Sequence, residues 1–434
     1  MSAFTIGIIG ILVVLFLLFY GFPIGFTMMV VGFAGITILA NSTAALHVIS
    51  TEPFNVISSY DYQVLPLFLF TASICLSAGL GQSLLKLAYT LVGRLPGGLA
   101  MATIGACGLF AAVSASSIAT AVTIGTAAIP EMRSYKYDSA LATGCVAAGG
   151  TLGILIPPSA ILIIYGILTE TSIAELFIAG MIPGIILTLL FMFLIYTHAR
   201  LKPTLAPPGP RTVMKEKLVA LGECTEIMVL IVLVLAGIII GWFTPTEAGG
   251  IAAFGSIVIT LIRRRLNWQG FKDAIVDTVV NSGMIFMVLI GAFIMNTFIA
   301  MSTIPMQLAE IVTSFGLPPI FVIALIMLLY LVLGCVIDTM SMIFLTIPIF
   351  FPVVTSLGFD PVWFGVIIVL VTEIAMITPP IGMNVYVIGG VVKDVPMETI
   401  FKGIMPFVAV EIAFVILLVA FPQLALFLPK LMRY

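Results

Sequence analysis

The chain reads Gly149-Gly150-Thr151-Leu152-Gly153-Ile154-Leu155-Ile156-Pro157-Pro158 in its first half and Val371-Thr372-Glu373-Ile374-Ala375-Met376-Ile377-Thr378-Pro379-Pro380 in its second. Each stretch is a largely apolar segment that ends in two adjacent prolines. Tandem proline removes two amide donors and disfavours helical geometry at the residue before it. The carbonyls about four residues upstream therefore lose their helical partners. The two stretches predict broken helices over 139–169 and 361–392, whose carbonyls suit a hard cation such as Na⁺.

The composition around these stretches is that of a membrane protein. The 434 residues include 17 basic and 19 acidic side chains, so 8% of the chain is charged and 62% is hydrophobic. Soluble domains are about 25% charged. A net charge of −2 excludes a basic nucleic-acid binder. The five cysteines form no CxxC pair, which supports neither a disulfide scaffold nor a zinc site. We expect an all-α polytopic membrane protein whose outer surface contacts lipid.

The basic residues predict the orientation. They lie at Arg94, at Arg133 and Lys136, in the hydrophilic linker 201–226 and at Arg263-Arg264-Arg265, whereas residues 273–392 contain no Lys or Arg. The positive-inside rule places these basic positions in the cytoplasm. Threading the chain through them puts both termini outside. The apolar N-terminal stretch lacks a basic n-region and a cleavage site, so it is expected to be a retained span.

Prolines recur at one fixed spacing along the chain. Residues 222 positions apart pair Pro23 with Pro245, Pro96 with Pro318, Pro130 with Pro352, and Pro157-Pro158 with Pro379-Pro380. This spacing predicts a first repeat over 1–200 and a second over 227–434, each with five crossings and one re-entrant hairpin, at 95–130 and 317–352. An odd number of crossings inverts the second repeat relative to the first. Inverted repeats with broken helices are typical of secondary transporters, whose site lies near the membrane midplane.

Small and oxygen-bearing residues form the predicted hairpin tips. The first tip contains Ser114, Ser116 and Ser117, and the second spans 334–341, with Asp338 and Thr339 at the positions equivalent to Ser116 and Ser117. Backbone that leaves a helix at membrane depth needs protein or water partners. The half-helix after each proline pair presents a positive dipole end to a carboxylate. We therefore expect two cation sites flanking one anion site. Ionisable groups at membrane depth are functional candidates by default, which applies to Asp338 and to Glu373.

At these motifs the sequence resembles the large membrane subunit of tripartite ATP-independent periplasmic (TRAP) transporters. The matching segments are 93–100, 114–117, 153–159, 243–248 and 377–384, and the resemblance covers nearly the whole chain. It implies an elevator mechanism and Na⁺-coupled uptake of an organic acid, such as a C4-dicarboxylate or sialic acid. It also implies a periplasmic binding protein, a small four-helix membrane subunit as a separate chain, and the bacterial inner membrane.

The resemblance implies specific ligands. One Na⁺ site is expected to use Ser114, Ser117, Gly153, Ile156 and Pro158, and the other Gly334, Ala375 and Thr378. The organic acid is expected to contact Ser116, Asp338, Thr339 and Asn384. The family usually has glycine where Ala115 and Ala375 stand, and alanine suits a carbonyl ligand when its φ is negative. Na⁺ is the one expected co-transported ion, with no organic cofactor.

Two alternatives remain open at the level of sequence. A stand-alone Na⁺/dicarboxylate symporter would share the hairpin architecture. An intramembrane aspartyl protease would pair Asp61 or Asp138 with Asp338, because such an enzyme needs two carboxylates in one site. The Gly-x-Gly-Asp context of such proteases is absent before Asp338. The sequence therefore favours a transporter without enzymatic activity.

Overall fold

The computed structural model describes residues 1–209, 213–334 and 337–432, and within these ranges the secondary structure is helical, without strands. A short 3₁₀ turn, Asp61–Gln63, precedes the fourth helix. The first half contains these helices: α1 (Ala3–Phe19), α2 (Ile24–Leu39), α3 (Ser42–Ser58), α4 (Val64–Ser77), α5 (Leu80–Val92), α6 (Gly98–Ser114), α7 (Ser117–Ser134), α8 (Ser139–Leu155), α9 (Ala160–Thr169) and α10 (Ile173–Leu201).

The second half begins with a longer helix and ends with an additional short one. Its helices are α11 (Met214–Ile240), α12 (Pro245–Ile262), α13 (Trp268–Met301), α14 (Ile304–Ser314), α15 (Pro319–Leu333), α16 (Thr339–Ser356), α17 (Pro361–Ile377), α18 (Met383–Val391), α19 (Met397–Ala420) and α20 (Gln423–Met432). Shifting α7 and α8 by 222 residues reproduces the bounds of α16 and α17. The first-half segment from α3 to α4, which is interrupted at residues 59–63, corresponds by the same shift to the continuous helix α13.

Several helices are long and apolar enough to cross a membrane. Within the described ranges, seven spans pass on length and composition, and α4 and α5, bent by 72° at their junction, would make an eighth if taken as one. Large apolar side chains such as Phe19, Phe193 and Phe254 are exposed on the outer surface. Exposing this much apolar surface to water is unfavourable, whereas its contact with lipid is not. The chain is a multi-pass membrane protein, and the count of five crossings per half stays a prediction.

Glycines set the closest helix crossings. A Cβ built at Gly291 of α13 would lie 2.1 Å from the carbonyl oxygen of Gly25 in α2, and one built at Gly403 of α19 would lie 1.8 Å from that of Ala140 in α8. Small residues allow this approach, which provides the van der Waals contact that holds membrane helices together. The first crossing belongs to a group formed by α1–α4 and α11–α13, and the second to a group that contains the broken helices.

Three ion pairs connect different parts of the described chain. Lys86 pairs with Glu223 at 2.8 Å, Arg133 with Asp394 at 3.0 Å, and Arg263 with Glu226. The hydrogen bond from Arg133 lowers the pKa of the Asp394 carboxyl. This pair joins the end of α7 to the turn after α18, so it connects the first hairpin to the second broken helix.

The predicted hairpins and broken helices correspond to helix pairs. The segments 139–169 and 361–392 contain α8 with α9 and α17 with α18, and each pair is interrupted at its prolines. In the first hairpin, α7 continues past Pro130 to Ser134. The predicted linker 201–226 includes the start of α11 at Met214. Residues 210–212 of that linker, Cys335 and Val336 of the second tip, and Arg433 lie outside the described residues.

Candidate functional site

The first hairpin turns within two residues. Helix α6 ends at Ser114, Ala115 has a φ of 50°, and Ser116 caps α7 by accepting a hydrogen bond from the amide of Ala119 at 3.3 Å. Serine favours this cap because its hydroxyl replaces a missing helical acceptor. Ala115 therefore does not have the negative φ under which alanine would suit a carbonyl ligand. The turn requires the left-handed region, where glycine fits without steric cost.

Oxygen atoms converge directly behind this turn. The hydroxyls of Ser114 and Thr120 lie 2.6 Å apart, and Thr120 donates a hydrogen bond to the carbonyl of Ser116 at 2.8 Å. Helix α8 packs against this cluster at Gly153, where a Cβ would lie 2.6 Å from the Ser116 carbonyl oxygen. The structure thus brings Ser114, Ser116 and Gly153 together. It adds Thr120, which follows the tip by one helical turn and could have been found from that spacing.

Ser117 contacts the other half of the molecule. Its hydroxyl accepts a hydrogen bond of 2.6 Å from the side-chain amide of Asn384 in α18, and both residues are buried. A Cβ at Gly150 would lie 3.1 Å from the Ser117 carbonyl oxygen and 3.3 Å from the Asn384 amide nitrogen. Asn384, expected to contact substrate, is therefore buried where α18 packs against the first hairpin and α8.

The two remaining residues of the first predicted Na⁺ site lie at the break between α8 and α9. Ile156 is half-buried at the end of α8, and its side chain packs so closely on Gly184 that a Cβ there would lie 2.5 Å away. Pro158 is buried and, with Val113 of α6 and Phe68 of α4, lines a largely apolar cleft that also borders α11 and α12. Both residues contribute backbone at the break rather than a polar side chain.

The second tip is organised by Asp338. Its carboxylate caps α16 by accepting from the amide of Ser341 at 3.1 Å and from the Ser341 hydroxyl. The adjacent Thr339 hydroxyl is buried and has no hydrogen-bond partner in the described structure. Asp338 is therefore oriented by its own helix, and Thr339 is the side chain here that lacks a partner.

The three residues of the second predicted Na⁺ site are neighbours. A Cβ at Gly334 would lie 2.3 Å from the Cβ of Ala375, so the end of α15 rests directly on α17. Thr378 donates its hydroxyl to the carbonyl of Ala375 at 3.2 Å. Ala375 lies inside α17 and takes a helical backbone, so alanine is compatible with a carbonyl ligand there. The Ala375 carbonyl oxygen accepts a hydrogen bond from Thr378. The missing amide hydrogen of Pro379 alone would have left this carbonyl without a donor.

The two helix breaks differ in exposure. Both contain a cis peptide bond between their prolines. In the first, residues 157–159 are buried, and the Ser159 hydroxyl caps α9 by accepting from the amide of Leu162 at 3.2 Å. In the second, residues 379–381 are exposed, and α18 begins after Gly382, at φ 62°, without a side-chain cap. The N-terminus of α18 is therefore the more exposed of the two helix starts that we expected to face an anion.

Two carboxylates are buried among these helices. Glu373 of α17 is 1% exposed and lies beside Ser117, and Glu411 of α19 is 0% exposed and accepts a hydrogen bond from Thr151 at 2.6 Å. In the sequence, Glu411 directly precedes the uncharged stretch 412–429, which predicts that it lies at the end of a membrane span. The structure places it in the middle of α19. The signal is present in the sequence, since residues 403–410 before it and 412–429 after it contain no charge.

The predicted protease residues have structural roles instead. Asp138 caps α8 by accepting from the amides of Ala140 and Leu141, at 3.0 and 3.1 Å. Asp338 caps α16, and Asp61 begins a 3₁₀ turn. Carboxylates that each serve a different helix end do not form the shared pair that aspartyl proteolysis needs. Within the described ranges, no group of three His, Cys, Asp or Glu side chains could hold a metal ion. The oxygens at the hairpin tips and helix breaks belong to hydroxyl and carbonyl groups, which suit a hard monovalent cation.

Comparison with known proteins points to one family of transporters. Residues 11–424 match the family model described as the tripartite ATP-independent periplasmic transporter, DctM component. The chain is 34% identical to the C4-dicarboxylate TRAP transporter large permease protein DctM of Pseudomonas aeruginosa, covering 91% of this chain and 92% of that protein. It is 32% identical to the sialic acid TRAP transporter large permease protein SiaM of Vibrio cholerae, covering 96% of each.

Further relatives extend these matches. The chain is 32% identical to the isethionate TRAP transporter permease protein DctMQ of Oleidesulfovibrio alaskensis over 90% of this chain and 61% of that protein. Among solved structures, it shares its fold with the YdaH transporter of Alcanivorax borkumensis (TM-score 0.60, 14% identity, covering 88% and 89%) and with MtrF of Neisseria gonorrhoeae (TM-score 0.61, 16% identity, covering 87% and 84%). The curated relatives are transporter permease subunits and not enzymes. The chain belongs to the DctM component family of tripartite ATP-independent periplasmic transporters.

Proposed function

We propose that this chain is the large membrane subunit of a transporter in the bacterial inner membrane that takes up an organic acid, driven by Na⁺. The observation that carries the proposal is the contact of each hairpin tip with the helix break of its own half. Ser116 and Gly153 meet in the first half, and Gly334 and Ala375 meet in the second. Each contact gathers backbone carbonyls and hydroxyls that a small hard cation can bind.

The first Na⁺ site would form between the tip and α8. The Ser114 hydroxyl and the Ser116 carbonyl already point into one cluster with Thr120. The carbonyl of Gly153 lies four residues before Pro157, which has no amide hydrogen to donate to it. Ser117, Ile156 and Pro158 complete the proposed set around the break.

The second site would use Gly334, Ala375 and Thr378. A cation here would bind the Thr378 hydroxyl oxygen, whose hydrogen is donated to the Ala375 carbonyl in the structure. The acid would bind between the two sites, and the second half would contribute the exposed N-terminus of α18 and the unpartnered Thr339 hydroxyl. Ser116, Asp338 and Asn384 are the other proposed contacts. We further propose that the tips and breaks move together past α1–α4 and α11–α13, as an elevator.

The relatives indicate the substrate class and the partners. Their names specify a C4-dicarboxylate, sialic acid and isethionate, which are all organic anions. We propose a carboxylate or similar organic anion for this chain as well. It would be delivered by a periplasmic binding protein, and a small membrane subunit would complete the complex.

The function is tested in proteoliposomes that contain this chain, the small membrane subunit and the binding protein. The ligand released from the purified binding protein is identified by mass spectrometry and then supplied in radiolabelled form. We expect accumulation under an inward Na⁺ gradient, because Na⁺ entry supplies the driving force.

Two controls define the result. Liposomes without the binding protein should not accumulate the acid, which separates this mechanism from a stand-alone symporter. Replacing Na⁺ by K⁺ on both sides should abolish accumulation. Equal uptake in K⁺ would refute Na⁺ coupling.

A further inference from the structure

Thr120 is a buried hydroxyl side chain at the first tip to which the proposed Na⁺ and substrate sites assign no role. It lies in the first turn of α7 and is 0% exposed. Its hydroxyl oxygen is 2.6 Å from the hydroxyl oxygen of Ser114 and 2.8 Å from the carbonyl oxygen of Ser116. A Cβ at Gly153 of α8 would lie 2.7 Å from the same oxygen. Thr120 therefore stands between the hairpin tip and the helix break that the first Na⁺ site would join.

The single hydrogen on each hydroxyl group sets the directions of these hydrogen bonds. A backbone carbonyl can only accept, so the contact between Thr120 and Ser116 uses the hydrogen of Thr120. The contact between Thr120 and Ser114 then uses the hydrogen of Ser114, which Thr120 accepts. The Ser114 hydrogen is thus directed towards α7, and the lone pairs of the Ser114 oxygen are left for another partner.

This direction matters for a cation ligand. A hydroxyl group binds a cation through its oxygen lone pairs, and its hydrogen, which carries a partial positive charge, must point away from the ion. Without an acceptor at Thr120, the nearest recorded alternative for the Ser114 hydrogen is the Ser116 carbonyl oxygen, 3.4 Å away. Turning towards that oxygen would rotate the lone pairs of Ser114, so the hydroxyl of Thr120 fixes how Ser114 presents its oxygen.

The second half lacks this pair of hydroxyls. The positions 222 residues after Ser114 and Thr120 are Val336 and Met342. Met342 is buried, and α16 begins at the second tip with Asp338 as its cap and no hydroxyl at the position equivalent to Thr120. A hairpin helix of this type therefore does not need a threonine there in order to begin. The comparison argues against a purely structural role for Thr120.

We propose that Thr120 is a positioning residue for the first Na⁺ site, which accepts the hydrogen of Ser114 and so orients the Ser114 oxygen towards the ion. The inference rests on the proposed function, because it takes Ser114 as a Na⁺ ligand. Thr120 acts through Ser114 and does not itself bind the ion. The Na⁺ affinity of the first site thus depends on a hydroxyl pair that the second site does not contain.

The proposal is tested on the purified full-length chain by measuring its melting temperature against NaCl concentration, with KCl added to keep the ionic strength constant. A ligand that binds the folded state raises the melting temperature, so the titration reports Na⁺ affinity without transport. Thr120→Val, which keeps the shape and removes the hydroxyl, should raise the Na⁺ concentration for half-maximal stabilisation by about two- to tenfold, the effect of one hydrogen bond. Thr120→Ser restores the acceptor and should restore the Na⁺ affinity.

The matched control is Thr103→Val in the other helix of the same hairpin. Thr103 is also 0% exposed, but its hydroxyl bonds only within its own helix, to the carbonyl of Leu99 at 2.9 Å. Its removal should leave the Na⁺ dependence unchanged. The melting temperature in KCl alone reports whether each variant folds. If Thr120→Val does not fold, Thr120→Cys replaces it and should shift the Na⁺ dependence in the same direction, because a thiol is a weak acceptor.

The outcomes separate this proposal from the proposed function. Stabilisation of the unaltered chain by Na⁺ that Thr120→Val or its replacement leaves unchanged would overturn the role of Thr120 and leave Na⁺ coupling intact. Equal weakening in Thr103→Val, or no recovery in Thr120→Ser, would also overturn it, since the effect would then come from packing. Absence of any Na⁺-specific stabilisation in the unaltered chain would count against Na⁺ coupling itself, and the role of Thr120 would fall with it.

Discussion

At the scale of single residues, the hydroxyls of Ser117 and Thr378 are the sharpest test of the two Na⁺ sites. Ser117→Ala and Thr378→Ala should each raise the Na⁺ concentration for half-maximal uptake by about tenfold or more. An interaction with a charged group is worth ~1.5–3 kcal/mol, and ~1.4 kcal/mol corresponds to tenfold in affinity. Uptake is measured against Na⁺ concentration in proteoliposomes.

The matched control is Ser134→Ala, at the other end of α7. Ser134 is exposed, and its hydroxyl bonds only within its own helical turn, to the carbonyl of Glu131. The Na⁺ dependence of uptake should be the same in the Ser134→Ala variant as in the unaltered protein. All variants are compared at equal amounts inserted in the membrane. Unaltered Na⁺ affinity in both site variants would remove these residues from the proposed sites.

Residue-level prediction from sequence succeeds where chemistry is local and fails where it depends on folding. Ser116 and Asp338 are tip candidates from residue type and position, whereas their roles as helix caps appear only in the structure. The positive φ of Ala115 also appears only there, because the tight turn rather than the residue imposes it. The contact of Ser117 with Asn384 joins residues 267 positions apart, and no spacing rule within one repeat predicts it.

At the scale of helices, the crossing of α8 and α19 is expected to be sensitive to a single methyl group. A Cβ at Gly403 would lie 1.8 Å from the carbonyl oxygen of Ala140, which is backbone and cannot move alone. Gly403→Ala should therefore force the helices apart and destabilise the protein by ~1–3 kcal/mol or more. The fall in melting temperature of the detergent-solubilised protein measures this effect.

Gly283→Ala provides the comparison. Gly283 is in the middle of α13, is exposed, and has no atom within 4 Å of the position that an added Cβ would occupy. Alanine there should leave the melting temperature unchanged or raise it slightly, since alanine favours helices over glycine. Equal melting temperatures for the two variants would show that the α8–α19 crossing is not tightly packed.

Helix breaks are easier to predict than helix ends in amphipathic segments. Proline pairs interrupt helices for reasons contained in two residues, and α8 and α17 end at Leu155 and Ile377, just before their proline pairs. Helix α14 is not predicted as a separate element, because Glu310 lies within it and divides the uncharged stretches 278–309 and 311–337. A search for uncharged stretches likewise starts its last window only after Glu411, whereas α19 runs through this residue, which is buried against α8 and α17.

At the scale of the whole molecule, the inversion of the second repeat can be tested with one pair of positions. Ser134 and Ser356 end α7 and α16, are both exposed, and are 222 residues apart. Single Ser134→Cys and Ser356→Cys variants should react with a membrane-impermeant thiol reagent from opposite sides, Ser134→Cys from the cytoplasm and Ser356→Cys from outside. Labelling is measured in intact cells and in inverted vesicles.

The unaltered protein is the background control for this experiment. Cys75, Cys107, Cys145 and Cys224 are buried, so they should contribute little labelling. Labelling of both introduced cysteines from the same side would contradict inverted repeats. It would leave membership of the family untouched, since that depends on sequence and not on orientation.

The hydroxyl of Ser117 is shared between the halves, and this has a consequence for how ions bind. A cation bound by the Ser117 hydroxyl oxygen would compete for it with the side-chain amide of Asn384. That amide would then need another hydrogen-bond acceptor. If the first proposed site binds Na⁺ through Ser117, its occupancy would change the contacts of Asn384 in the second half, and thermodynamic linkage would make that influence reciprocal. The two proposed ion sites should therefore fill cooperatively or antagonistically rather than independently, with one side-chain contact as the physical connection between them.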